Sequence, residues 1–198
     1  MEVGAGCGLL GLVLAHMGCS VVLTEAEEAM ENLQRNVAAN SKGLPSKGSK
    51  GSSESKGSKD PKGSKDAKGS KGSTGTVPTV QRLDWTREDD LEALQAGASF
   101  PFDVVVGTDV VFNTAMVEPL LRVLYAATHK TSTVWLCMQE RDPDAHRLLL
   151  ERAPLFFKTR DRSEALAATA GCEAASEMEC FLICLTKKRK TAPPPLKP

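Results

Sequence analysis

No apolar run in this 198-residue chain approaches the roughly 20 residues that a membrane-spanning helix requires. No membrane partner is therefore expected. The first residues show neither a basic segment nor a long apolar one, so nothing there marks the chain for secretion. Six cysteines occur without a single Cys-x-x-Cys pair, and the three histidines, His16, His129 and His146, are scattered. No metal site is expected, and no catalytic role is given to the histidines. Cys7, Cys19, Cys137, Cys180 and Cys184 sit within or beside apolar segments and read as reduced, buried thiols. The cytoplasm is the expected location, with the nucleus as a second one. An excess of one charge is also lacking, because 25 Lys and Arg balance 25 Asp and Glu. A dedicated nucleic-acid binder, which needs a basic folded face, is thereby disfavoured. What remains is the composition and length of an ordinary globular chain with one core.

The balanced charges are unevenly spread. Residues 41–75 hold nine lysines against three acids, in a Lys/Gly/Ser-rich stretch with "KGSK" units beginning at Lys56, Lys62 and Lys68. Almost no apolar residue there can offset the entropy of ordering the chain, so a disordered insertion is expected. Its lysines are either solvated or in weak contact with acidic partners or RNA. Residues 1–40 and 76–186 then form two parts of one domain, and 187–198 a basic, proline-rich tail. The tail, "KKRKTAPPPLKP", is either a nuclear-import signal or a solvated end.

Within the domain, apolar periodicity switches between 2 and 3.6. Helices are predicted over 8–17, 27–40, 89–96, 115–127 and 143–151, the last begun by an aspartate and a proline. Strands are predicted over 19–23, 79–83, 102–107, 133–138, 155–158 and 180–186. Strands alternating with helices imply an α/β, doubly wound, mostly parallel sheet, with a final hairpin-like pair as its antiparallel edge.

The chemistry gathers where these strands end. In "EVGAGCG" the glycines Gly4, Gly6 and Gly8 make a tight turn against which a ligand can lie on backbone amides. Glu2 precedes this loop, and an early carboxylate suits an ammonium or sulfonium better than a pyrophosphate. Glu25, in "VVLTE", ends the next strand, where a carboxylate can accept both ribose hydroxyls of a nucleoside. S-adenosylmethionine is therefore suggested over NAD. In "LDW", Asp84 can accept from an adenine amino group and Trp85 can cover the base. A surface acid at Glu25 and a core indole at Trp85 are the plainer alternatives. "FDVVVGTDVVF" delivers Thr108, Asp109 and Phe112 to the mouth of a buried strand, and packing does not account for Asp109 there.

Together, "EVGAGCGLLGLVLA", "ENLQRNVAAN", "RLDW" and "FDVVVGTDVVF" resemble the seven-β-strand protein-lysine methyltransferases of the methyltransferase-like 21 group, within methyltransferase family 16. The resemblance implies a Rossmann-like sheet of seven strands, S-adenosyl-L-methionine as cofactor, and a protein substrate with a target lysine. Members of the group act on a chaperone-like ATPase and on a translation factor, so a substrate of that kind is implied. It also implies that Gly4, Ala5 and Gly6 surround the methionine part of the cofactor, that Glu25 holds the ribose, and that Trp85 and Thr108 line the adenine and methyl side. Asp109 to Phe112 stands in the place of the group's Asp-x-x-Tyr motif. "MQERD" resembles a stretch of the substrate channel, which makes Glu140 and Arg141 further candidates. The implied reaction is displacement of a sulfonium methyl by a neutral lysine amine, with an aromatic at 112 facing the moving charge.

Two departures set further expectations. Phe112 replaces the motif's tyrosine, which predicts weakened chemistry. Only Met1 to Val3 precede the glycine loop, so the first strand is expected to be short and the chain to be a truncated form, isoform or incomplete gene model. A catalytically impaired binding or scaffold module is the alternative from another class. A methyltransferase of small molecules or nucleic acids is the alternative enzyme, against which stands the lack of an Asn/Asp-Pro-Pro-Tyr motif after the fourth strand.

Overall fold

The computed structural model describes residues 1–45, 75–169, 171–172 and 174–191. Most of the predicted insertion, 46–74, and the end of the predicted tail, 192–198, lie outside the described residues. Seven strands form one sheet: β1 (Glu2–Val3), β2 (Val22–Glu25), β3 (Thr79–Arg82), β4 (Phe102–Thr108), β5 (Thr128–Gln139), β6 (Lys158–Asp161) and β7 (Cys180–Thr186). Their order is β3-β2-β1-β4-β5-β7-β6. The first five are parallel, and β7 runs antiparallel to both of its neighbours.

The helices are α1 (Leu9–His16), α2 (Glu27–Asn40), α3 (Glu88–Gln95), α4 (Thr114–Ala127), α5 (Pro143–Phe156), α6 (Ser163–Ala167) and α7 (Ala174–Glu177). Apolar residues of α3, α4 and α5, among them Leu94, Leu120, Leu124 and Leu149, pack on one sheet face with Val105 and Leu136. On the other face Leu12 of α1 and Leu33 and Val37 of α2 pack against Leu23. Covering a parallel sheet on both sides explains why its central strands are almost wholly apolar. No helix of the described residues is long and apolar enough to cross a membrane.

β1 has two residues, yet it occupies the middle of the sheet. Glu2 pairs with Leu23 of β2 and with Val106 of β4, and Val3 pairs with Gly107. The strand order reverses at β1, and such a reversal opens a crevice at the carboxyl ends of the strands.

Several local expectations are corrected. The strand predicted over 155–158 lies later, over Lys158–Asp161, because α5 continues through Pro154 to Phe156. Leu149, Ala153 and Phe156 recur on one helix face and are buried, and that burial outweighs the proline. β5 begins at Thr128, five residues early, because Thr128 pairs with Phe102 across a register shift before regular pairing resumes at Val104 and Thr133. Cys7 and Cys19 are exposed rather than buried, since both lie in loops, and of the six free cysteines Cys184 is buried. Residues 41–45 form a turn whose Leu44 joins the second core. At the other end, Lys188 donates to the Thr128 carbonyl (2.9 Å) and lies 4.1 Å from the Tyr125 ring centroid, so the start of the basic cluster is held to the fold.

Candidate active site

The glycine loop leaves β1 with left-handed backbone at Gly4 (φ +58°), Gly6 (φ +55°) and Gly8 (φ +80°). At Gly4 the requirement is double. A Cβ there would stand 2.9 Å from Val110 Cγ1 and 3.3 Å from Trp85 Cζ2, so the bare backbone lets those two side chains close on the loop. At Gly6 no described residue lies within 4 Å of the same point, and the space is open.

Glu25 at the end of β2 closes the loop from the side. Its Oε2 accepts from the Gly6 amide (2.7 Å) and its Oε1 from the Ala26 amide (2.8 Å). Each carboxylate oxygen keeps a further lone pair for a ligand hydroxyl. The chain after β3 is fixed beside it by the Leu83 amide, which donates to the Glu25 carbonyl at 2.8 Å. Asp84 Oδ1 accepts from the hydroxyl and the amide of Thr86 (2.7 and 2.9 Å), and these bonds hold the carboxyl below the ordinary range. Trp85 packs against the larger core with its ring edge near Gly4.

β4 delivers Thr108 and then Asp109, which takes left-handed backbone (φ +52°) that few non-glycine residues adopt. Arg141 donates to Asp109 Oδ2 at 2.7 Å, and the Gln139 amide donates to Oδ1 at 2.9 Å. Partial burial opposes ionisation of Asp109, but Arg141 and the Gln139 amide more than offset it, and the carboxyl lies below its usual range. Phe112 beyond it is 53% exposed, an uncommon place for a large apolar ring without a partner.

These strand ends enclose a cleft of about 370 Å³. Gly4, Gly6, Glu25, Asp84, Trp85, Thr108, Asp109 and Phe112 all line it, as the strand-end motifs led one to expect. Arg141 reaches it through Asp109. Four expected residues lie elsewhere. Glu2 is buried below the loop, where its Oε2 accepts from the Gly11 amide (2.9 Å) and its Oε1 has no hydrogen-bond partner among the described residues. Ala5 is part of the second core. Gly8 caps α1, and a Cβ there would meet Leu33 Cδ1 at 2.6 Å, so its need is one of packing. Glu140 lines a separate cavity with Glu164 and Glu179.

The sequence reading missed Ala26, Leu83, Val110 and Met116, which complete the cleft wall. It also missed Asn113, whose side chain accepts from the Met116 amide (3.1 Å) and starts α4 at the cleft. An asparagine just before a helical pattern is a signal that could have found it. Among the described residues no group of three or more His, Cys, Asp or Glu side chains is placed to hold a metal ion.

A crevice at the switch point of a 3-2-1-4-5-7-6 sheet, floored by a glycine loop, defines the Rossmann-like methyltransferase fold. Solved structures agree: a TehB-like S-adenosylmethionine-dependent methyltransferase from Corynebacterium glutamicum superposes with a TM-score of 0.54 at 13% identity, over 94% of this chain and 78% of that one. A predicted O-methyltransferase from Agrobacterium tumefaciens gives 0.55 at 16% identity, over 96% and 74%. At the level of sequence the lysine methyltransferase family model matches residues 1–50 and 69–155, and the chain belongs to that family. It is 29% identical over 154 residues to the mouse protein N-lysine methyltransferase METTL21A, covering 77% of this chain and 55% of that protein. To the bovine protein-lysine methyltransferase METTL21E it is 26% identical over 163 residues, covering 82% and 45%. The chain thus spans about half the length of the curated relatives it matches.

Proposed function

We propose that this chain binds S-adenosyl-L-methionine in the switch-point cleft and transfers its methyl group to a lysine side chain of a protein substrate. The observation that carries this reading is the convergence of Glu25, Asp84 with Trp85, and Asp109, from the ends of three different strands, on one cleft beside the glycine loop. The donor set fits the cofactor. Glu25 offers two anchored oxygens to a ribose, Trp85 an indole face to a base, and the open side of Gly6 room for a chain laid against the backbone. The relatives are named as protein-lysine methyltransferases, which supports a lysine acceptor.

When bound, the cofactor supplies an electrophilic methyl group on a sulfonium. The chain's own residues have to place an amine and exclude water. Leu83, Val110 and Met116 make the cleft walls apolar. Asp109, held ionised by Arg141, offers the mouth a fixed carboxylate that can accept from an approaching amine. Phe112 offers its exposed π-face to the developing cation, without the hydroxyl that a tyrosine would add.

Calorimetric titration with S-adenosylmethionine, with Glu25→Ala as control, tests the cofactor step. Binding weakened about tenfold or more by the control is expected, the worth of hydrogen bonds to a charged acceptor. Transfer is then read as methyl-lysine by mass spectrometry on cell protein, and Asp109→Ala should abolish it. A folded chain that binds no cofactor would refute this function and favour the scaffold module.

A further inference from the structure

Asp90 stands in the first turn of α3 and is only 2% exposed, a rare state for an aspartate. Its carboxylate is fully employed. Oδ1 accepts from Arg82 Nη2 (2.7 Å) and Nε (3.1 Å), and Oδ2 accepts from the Asp84 amide (3.0 Å). Arg82 is paired with Glu25 in the β2–β3 register and donates through Nη1 to Glu27 (3.3 Å). One buried acid therefore joins α3, the end of β3 and, through Arg82, the start of α2. Both chain segments it reaches carry cleft residues, Glu25 with Ala26 and Asp84 with Trp85. Burying a carboxylate is costly unless it is paired, and this one is paired to the backbone that bears the base-facing side chains.

We propose that Asp90 is a positioning residue of the cleft, which by holding the Asp84 amide fixes the Asp84 carboxylate and the Trp85 ring and so selects adenine over its deaminated counterpart. The inference rests on the cofactor reading given above. Asp84 Oδ1 is taken by Thr86, while Oδ2 accepts from none of the described residues and remains open to a ligand donor. An adenine amino group can donate to it. The carbonyl of hypoxanthine would face it acceptor to acceptor, which is repulsive. Selection depends on the carboxylate standing still, and among the described residues the side chain that grips the Asp84 main-chain amide is that of Asp90.

The test is calorimetry of the whole chain with S-adenosylhomocysteine and with S-inosylhomocysteine. The unmodified chain should prefer the adenosyl compound by about tenfold, the worth of one hydrogen bond to a charged group. Asp90→Ala, which leaves the Asp84 amide without this acceptor, should bring the ratio to within about threefold through weaker adenosyl binding, leaving inosyl affinity nearly unchanged. If Asp90→Ala does not fold, Arg82→Gln, which leaves the carboxylate on α3, should lower the ratio in the same sense. A ratio kept intact in a folded variant, whatever its melting point, would show a structural acid and overturn the proposal. Equal binding of the two compounds by the unmodified chain overturns the adenine selection directly. Binding of neither compound overturns the cofactor reading, and this inference with it.

Discussion

At the scale of single residues, Glu2 is the group whose chemistry departs most from its type. It is 1% exposed, one oxygen accepts from the Gly11 amide and the other has no partner among the described residues. Burial pushes its carboxyl up to about 7 against the opposing pull of the Gly11 amide. Between its ordinary value of 4.5 and about 7 the folded chain holds a proton that the unfolded chain releases. Its contribution to unfolding free energy therefore falls as pH rises through that window, by at most about 3 kcal/mol. The Met1 amine, pushed down to about 6 by burial, adds an opposite slope between about 6 and its ordinary 8.0. Urea titrations at about pH 4.5 and pH 6, below the Met1 window, should show the fall, and Glu2→Gln should remove it. An unchanged slope in the variant would place the titration elsewhere. Glu25, Trp85 and Asp109 were legible because each sits in a motif at a strand end. Glu2 shared that signal, but its register turns it beneath the loop, and a one-residue alternation of faces is not visible before the strand is paired.

At the scale of elements, α4 and α5 are joined by a charge cluster inside an otherwise apolar contact. Glu118 accepts from Arg152 Nε (3.0 Å) and Nη2 (3.2 Å) and from Arg122 Nη2 (2.9 Å). Removing the acid takes away a carboxylate that both guanidinium groups share in a partly buried interface. Glu118→Ala should cost about 2 kcal/mol of stability in urea unfolding, the worth of hydrogen bonds to a charged group. A loss below about 0.5 kcal/mol would mean that the arginines find water, as exposed pairs do. Helix existence was readable here, and α2 matched the predicted 27–40 because its apolar spacing is unbroken. The end of α5 was not readable. A Pro followed by Leu-Phe-Phe looks like a break and a strand, and only the packing of Phe156 makes it a last helical turn. Asp90 was hidden for a similar reason, since its partners lie six and eight residues away across a loop and a strand.

At the scale of the whole molecule, alternation of strand and helix announced a doubly wound sheet, but it contained no statement of strand order. The placement of β7 between β5 and β6 follows from antiparallel pairing of Gln139 with Cys180 and of Lys158 with Thr186, contacts that no local pattern encodes. The order matters for function because the cleft takes walls from both sides of the switch point, β2 and β3 on one side and β4 on the other, with β1 between them. A ligand seated there holds both halves of the sheet at once. S-adenosylhomocysteine at about 100 times its dissociation constant should stabilise the fold by about 2.7 kcal/mol. For a chain of this size that is a rise of about 5–10 °C in a single melting transition. Glu25→Ala, binding about tenfold more weakly, should cut the rise to about half or less at the same ligand concentration. Two transitions, of which only one moves with ligand, would show instead that the halves of the sheet unfold separately and that the cleft is anchored in just one of them.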